Sequence, residues 1–305
     1  MEQFTYQISL EDQEERLDKW ISGNIQSLSR SYIQKLIKDN QVLVNGKPEK
    51  ASYRIRLDDE ISLWVPDAKE IQISAEDIPL SILFEDRDIL IVNKPKGMVV
   101  HPAPGHMSGT LVNAVLFHCK EGLSGINGIL RPGIVHRIDK DTTGSLIICK
   151  NDTAHREIAA QLKEHSITRR YVAIVHGCFE GEEGSIEAPI GRDPDNRIRM
   201  AVNHKNGKYA LTHYKVLQTY KNYTYLECRL ETGRTHQIRV HMASIGHPLL
   251  GDTLYNAPKS KFTLQGQTLH AMTIGFCHPR TGEYIEVNAP LPAYFEHLLS
   301  NLKFL

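Results

Sequence analysis

Residues 133–150 read GIVHRIDKDTTGSLIICK. His136, Arg137, Asp139, Lys140 and Asp141 crowd into six positions, and the apolar run Leu146-Ile147-Ile148 follows a glycine-containing turn. A short apolar run beside turn signals reads as a buried strand. The charged cluster then falls at the mouth of that strand, in a loop held by a rigid element, where catalytic groups concentrate. Asp139 has His136, Arg137 and Lys140 beside it in sequence. Such a surround favours the ionised carboxylate, which suits a nucleophile better than a general acid. On these residues alone, a salt-bridged surface loop is the more ordinary explanation of the pattern.

The sequence around this core predicts many strands and few helices. Upstream, Ile82-Leu83-Phe84 and Ile89-Leu90-Ile91-Val92 read as strands around the turn 85–88, and Val99-Val100-His101-Pro102 continues extended. Thr110 to Cys119 reads as a helix burying Leu111, Val112, Val115 and Leu116. Downstream, Thr153 to His165 is amphipathic, with Ile158, Ala159 and Leu162 inward, and Arg169 to Val175 is a strand. Residues 191–208 read as a polar loop carrying Arg192, Arg197, Arg199, Lys205 and Lys208. Tyr209–Thr219 and Tyr223–Glu231 form a hairpin. GRTHQIRVHMASIG then crosses into a helix with the stripe Ile238, Met242, Ile245, closed by Gly246. Residues 270–278 and 283–288 make another hairpin, and Pro292 starts a last helix. Strands arranged largely in hairpins argue an α+β domain with a mixed, mostly antiparallel sheet.

Ahead of this lies a smaller unit. Phe4 to Ser9 reads as a strand. Leu17, Trp20 and Ile21 fall at helical spacing, and residues 28–40 read as a second helix with Ser29 as N-cap, the stripe Ile33, Leu36, Ile37, and Asn40 at the left-handed C-terminal position. Val42 and Val44 alternate before the hairpin signal Asn45-Gly46, and Ile61, Leu63 and Val65 alternate after it. From Glu14 to Arg56, nine Lys/Arg face five acids, a balance that suits nucleic-acid backbone as well as a solvated helix face. Residues 66–80 read as a linker, which puts the expected boundary near residue 75: a small helix-helix-hairpin domain over 1–75, core 14–65, and a large domain over 76–305.

Composition bounds the partners. The 305 residues are 41% apolar and 24% charged with zero formal net charge, so only local patches point to a ligand. Five cysteines without short spacing lead one to expect reduced thiols in a cytoplasmic protein. The polar, acidic start is unlike a signal peptide, and no apolar stretch approaches a membrane span. GxGxxG and GxxxxGK[ST] are absent, so no nucleotide cofactor is expected, and HQIRVH lacks the HExxH zinc spacing, so no metal is expected.

HRIDKDTTGSL at 136–146 resembles the signature of the Rlu family of RNA pseudouridine synthases, and NKPKGMVVHP at 93–102, ITRRYVAIVHG at 167–177 and ETGRTHQIRVHMASIGHPLLGD at 231–252 resemble further landmarks of it in order. RLDKWI and SRSYIQKLIKDNQVLVNGKP resemble the small RNA-binding module named after ribosomal protein S-four, with Asn40 where that module usually has Gly. Together they are most similar to the RluD-type branch. The resemblance implies a cofactor-free enzyme that isomerises uridines to pseudouridine in large-subunit (23S) ribosomal RNA. It makes Asp139 the catalytic aspartate. Arg137 would fill the space of the flipped-out nucleotide, Tyr171 would stack on the base, and Arg234 would pair with the Asp139 carboxylate, ahead of Arg239. His136 and His241 then read as structural or phosphate-facing, the 192–208 loop as tracking phosphates, and Lys140 and Asp141 as ordinary loop charges. A non-catalytic RNA-binding factor and a carboxylate-dependent hydrolase are the competing readings.

Overall fold

The computed structural model describes residues 2–25, 28, 30–65, 73–103, 105–120, 122–126, 131–196, 198–255 and 257–303. The expected N-cap Ser29, the linker positions 66–72 and Arg197 lie outside the described residues. The chain divides into two compact units, Met1–Ile71 and Gln72–Leu305.

The first unit contains β1 (Glu2–Gln7), α1 (Leu17–Asn24), α2 (Arg30–Lys38), β2 (Val42–Val44), β3 (Lys47–Pro48) and β4 (Glu60–Val65). Its strands form one antiparallel sheet in the order β1-β4-β2-β3. Leu17, Trp20 and Ile21 of α1 and Ile33, Leu36 and Ile37 of α2 share one core with Val42, Val44, Ile61 and Leu63. Asn40 takes the left-handed conformation after α2, at φ 55°. Asn45 and Gly46 are both left-handed, as a two-residue hairpin turn of this hand requires. Asp18 is completely buried and accepts hydrogen bonds from Arg16, Arg30 and Gln34. Two of the nine basic side chains thus serve the fold, while Lys35, Lys38, Lys47 and Lys50 stay exposed.

The second unit runs β5 (Ile82–Glu85), β6 (Ile89–Lys94), α3 (Leu111–Cys119), β7 (Thr143–Cys149), α4 (Asp152–Lys163), β8 (Thr168–His176), β9 (Glu183–Glu187), β10 (Ile190–Arg192), β11 (Met200–Val202), β12 (Leu211–Thr219), β13 (Tyr223–Leu230), α5 (Gln237–Ser244), a short 3₁₀ turn (Thr253–Tyr255), β14 (Leu269–Cys277), β15 (Tyr284–Asn288) and α6 (Ala293–Leu302). Nine strands make one sheet in the order β5-β6-β7-β14-β8-β13-β12-β9, with β15 also on β14. Its pairings are antiparallel except β7 with β14, which run parallel over Thr143–His270 and Gly144–Ala271. The expected mixed, mostly antiparallel α+β class holds. β14 joins the β5-β6-β7 half to the β8-β13-β12-β9 half. Gly144, at φ 112°, lies so close to the Ala271 backbone that a side chain there would collide with it. That explains the glycine of DTTGSL.

Several local expectations need correction. Val99 and Val100 form no strand; their carbonyls accept from the Leu111 and Val112 N–H groups and satisfy the otherwise unpaired start of α3. On α4 the inward side chains are Ala154, His155 and Ile158, while Ala159 is exposed. Ile245 is 39% exposed because α5 ends at Ser244 and the next residue leaves the buried stripe. The 191–208 segment is not all loop, since β10 and β11 pair within it.

Candidate active site

Asp139 lies just before β7, in a turn closed by Thr142 N–H donating to the Asp139 carbonyl at 3.1 Å. Neighbouring Ile134 and Ile138 are buried in the core with Leu146 and Ile148, which fixes the loop to the strand. Lys94, at the end of β6, is 1% exposed and donates to the carbonyls of Pro95, Met98 and Lys140 at 2.8, 2.9 and 3.0 Å. Burial pushes its ammonium down to about 7, opposed by Asp141 and Asp139. Three carbonyls match its three N–H donors and favour the charged form. Asp141 is no ordinary loop charge. It faces Lys94 and Lys96, and its Oδ1 is buried.

The partner of Asp139 is Arg239, not Arg234. Arg239 Nη1 donates to Asp139 Oδ2 at 2.9 Å, while Nε and Nη2 grip Asp252 at 2.7 and 2.9 Å. Arg239 is 6% exposed. Burial would lower its pKa, but Asp252 and Asp139 outweigh that and raise it. Arg234 lies before α5 begins, and its Nε donates to the Tyr209 carbonyl at 2.9 Å. The reversal between them comes from His236, left-handed at φ 56°, which turns the chain so that Arg239 faces inward. Gln237 fastens this turn: Oε1 accepts from Arg234 N–H and Thr232 Oγ1, and Nε2 donates to the Leu211 carbonyl and Thr212 Oγ1.

His236 Nε2 stands 3.8 Å from Asp139 Oδ1, and its Nδ1 lies 2.8 Å from the Tyr255 hydroxyl. Burial lowers the His236 pKa, against the pull of Asp139. The Arg239 guanidinium sits 5.0 Å from the centre of the Tyr255 ring. Sequence reasoning passes over Lys94, His236, Asp252 and Tyr255. The available signal is the run GDTLY after the GRTHQIR helix: a buried arginine serving one carboxylate has donors left for a second.

Asp139, Arg239 and His236 open onto a cavity of about 510 Å³. Tyr171, Leu230, Ile238 and Leu269 give it an apolar wall, and Arg137, Arg169 and Arg234 also line it. Tyr171 is 8% exposed, and burial raises its phenol pKa. Arg137 is exposed. All four residues expected at the site therefore line one cavity. His136 and His241 are both engaged in internal hydrogen bonds. His136 Nε2 accepts from Ile147 N–H at 3.0 Å, and burial, then Arg169, pushes it down to about 3. His241 is fully buried between Thr212 Oγ1 and the Ala188 carbonyl. His241 is structural, whereas His136 is half-buried and also lines the cavity. In the 192–208 segment, Asp193 binds Arg199 at 2.5 Å and accepts from the Asp195 and Asn196 N–H groups.

Comparison with known proteins gives the family. Residues 88–244 match the family described as RNA pseudouridylate synthase, and residues 15–61 match the S4 domain. An uncharacterized RNA pseudouridine synthase of Bacillus subtilis (strain 168) is 50% identical over 303 residues, covering 99% of each chain. A protein named ribosomal large subunit pseudouridine synthase D, from Zymomonas mobilis, is 45% identical over 297 residues, covering 94% of this chain and 93% of its own. In fold, the chain is similar to human RNA pseudouridylate synthase domain containing 1, with a TM-score of 0.58 at 23% identity, over 78% of this chain and 98% of the other. A cavity-lining aspartate gripped by a buried arginine, on a sheet of this fold and behind an S4 domain, thus belongs to a member of the RNA pseudouridine synthase family.

Proposed function

We propose that the chain converts uridines of large-subunit (23S) ribosomal RNA to pseudouridine, with Asp139 as the acting carboxylate. The reaction breaks the C1′–N1 bond, turns the uracil in place, forms C1′–C5, gives up the C5 proton to solvent and takes one up at N1. No group is expelled and no water is added, so one carboxylate suffices where a glycoside hydrolase uses two. Either Asp139 attacks C1′, or it takes the 2′ proton to give a glycal. Both routes need the nucleotide flipped out of its stack and the site shielded from water.

The observation that carries this reading is the single open oxygen of Asp139. Arg239 occupies Oδ2, which leaves Oδ1 toward a cavity walled by Tyr171. An aromatic face there suits stacking on a flipped pyrimidine. Arg137 and Arg234 on the same cavity suit the vacated stack and the RNA phosphates. The names of relatives such as ribosomal large subunit pseudouridine synthase D support ribosomal RNA as substrate. The S4 domain adds a second, tethered contact that raises affinity. The test is tritium release from C5-labelled ribosomal RNA. Wild type is expected to release label, and Asp139→Ala to release none while still binding RNA. Free uracil as product would point to a hydrolase instead. Comparing pseudouridine maps of ribosomal RNA with and without the protein identifies the positions.

A further inference from the structure

Tyr255 stands behind the Asp139–Arg239 pair and touches three parts of the molecule. Its hydroxyl lies 3.0 Å from the Met200 backbone nitrogen, at the start of β11, and 2.8 Å from His236 Nδ1. Its ring lies under the Arg239 guanidinium. Tyr255 therefore contacts both neighbours of the Asp139 carboxylate and also the hairpin of the basic 192–208 segment.

We infer that Tyr255 is a positioning residue that fixes His236 as the tautomer protonated at Nε2, so that an N–H faces the open oxygen of Asp139. The inference rests on Asp139 being the acting group. A phenol has one hydrogen to give and lone pairs to receive with. The Met200 N–H is a donor only, so the hydroxyl accepts from it. The phenol hydrogen is then directed to His236 Nδ1, which must be unprotonated. A neutral imidazole carries its one hydrogen on the other nitrogen, and the partner of one ring nitrogen thus sets the state of the other. The opposite tautomer would leave the phenol hydrogen without this acceptor and would aim a lone pair at the Asp139 carboxylate. The near-perpendicular rings of His236 and Tyr255, at 86°, bring the hydroxyl to the imidazole edge.

Around His236 stand Asp139, Arg239, Asp252, Arg137 and Tyr255. Burial keeps the imidazole neutral, and burial also pushes the Tyr255 phenol up to about 12, so both hold the protons assigned to them at neutral pH. The consequence for Asp139 is asymmetric. Oδ2 is locked by the Arg239 cation at 2.9 Å, whereas Oδ1 meets a neutral N–H at 3.8 Å, beyond hydrogen-bond length. The N–H faces the working oxygen without sealing it. The same hydroxyl ties this geometry to the seating of the β10–β11 hairpin.

The test uses the full chain with ¹⁵N-labelled histidine and long-range proton–nitrogen correlation, the His236 signals being assigned by their loss in His236→Gln. Wild type is expected to show the pattern of a neutral ring protonated at Nε2. Tyr255→Phe keeps the ring under Arg239 but removes the hydroxyl. It is expected to shift His236 toward the Nδ1-protonated form and to lower kcat for tritium release about tenfold or more, with a smaller change in KM. An Nδ1-protonated His236 in wild type overturns the inference, whether or not Tyr255→Phe folds. So does a Tyr255→Phe protein with unchanged spectrum or unchanged kcat. Absence of tritium release by wild type on any ribosomal RNA instead overturns the isomerase reading, while the wild-type spectrum still decides the tautomer.

Discussion

Arg239 reaches Asp139 through Nη1 alone because Nε and Nη2 are both committed to Asp252. One guanidinium thus serves two carboxylates from a nearly buried position. An ammonium cannot reproduce that fork. Arg239→Lys is therefore expected to lower kcat by about 100-fold or more. It should also cost about 3 kcal/mol of stability in denaturant titration, since a buried carboxylate loses its partner. Arg234→Ala should melt like wild type and act chiefly on KM, because its guanidinium bonds the Tyr209 carbonyl rather than Asp139. An Arg234→Ala protein with the kcat loss expected of Arg239→Lys would refute the assignment.

Lys94 holds the loop of Asp139 from behind, through the Lys140 carbonyl. Lys94→Met fills similar space but leaves the Pro95 and Met98 carbonyls without this donor, while the Lys140 carbonyl keeps the Gly97 N–H. Each orphaned group costs about 1–3 kcal/mol, so the urea midpoint should drop sharply. Residual folded protein should release tritium slowly, because the loop ahead of β7 loses this tie. An unchanged midpoint would show that the cradle contributes nothing.

Acid stability of the second unit should depend on Asp88. Its hydrogen bonds with Arg280 hold its carboxyl down to about 2, from an ordinary 3.8, with burial opposing and Asn151 helping. A folded pKa below the unfolded one contributes stability that is whole above pH 3.8 and is lost as pH falls toward 2. Melting temperature should therefore fall between these values. Arg280→Ala should lower it already at neutral pH and flatten its fall in that window. The same acid limb in both proteins would remove Asp88 from the account.

The exposed lysines of the S4 domain make a different kind of prediction. Lys35→Ala with Lys38→Ala should weaken RNA binding uniformly across sequences. It should also reduce the slope of log affinity against log salt by about one for each phosphate left without its lysine. Arg16→Ala and Arg30→Ala should instead act mainly on folding, because both side chains are bound to the buried Asp18. A salt slope unchanged by the lysine pair would take α2 out of the RNA-binding surface.

How far the sequence could be read followed the range of the physics. The stripes of α1 and α2, the Asn45-Gly46 turn and the strand at Leu146–Ile148 are set by neighbours in sequence, and they stand where periodicity puts them. Ala159 and Ile245 differ because a stripe one residue too generous looks the same in a string of letters. The choice between Arg234 and Arg239 turns on the left-handed His236, a conformation that no local pattern announces. Asp252 and Tyr255 are invisible as site residues in the sequence because their roles exist only after a fold in the chain brings them under Arg239. The basic count of the first unit misleads slightly for a related reason: a buried acid, Asp18, claims two of the arginines.

The position of β14 has a consequence for biosynthesis. Asp139 stands just before β7, at the end of one half of the sheet, whereas Tyr171 lies on β8 in the other half and Arg239 on α5, which follows β13. Ser145 Oγ donates to the Ala271 carbonyl across 126 residues, so these halves meet through one of the last strands to be made. Pairings of such separation form slowly. A nascent chain still lacking β14 holds the aspartate and its arginine on separate pieces. It has a complete S4 domain at its front before it has any chemistry to deliver. Binding competence therefore precedes catalytic competence during translation, and a chain cut short between Ile71 and Leu269 should retain RNA affinity without turnover.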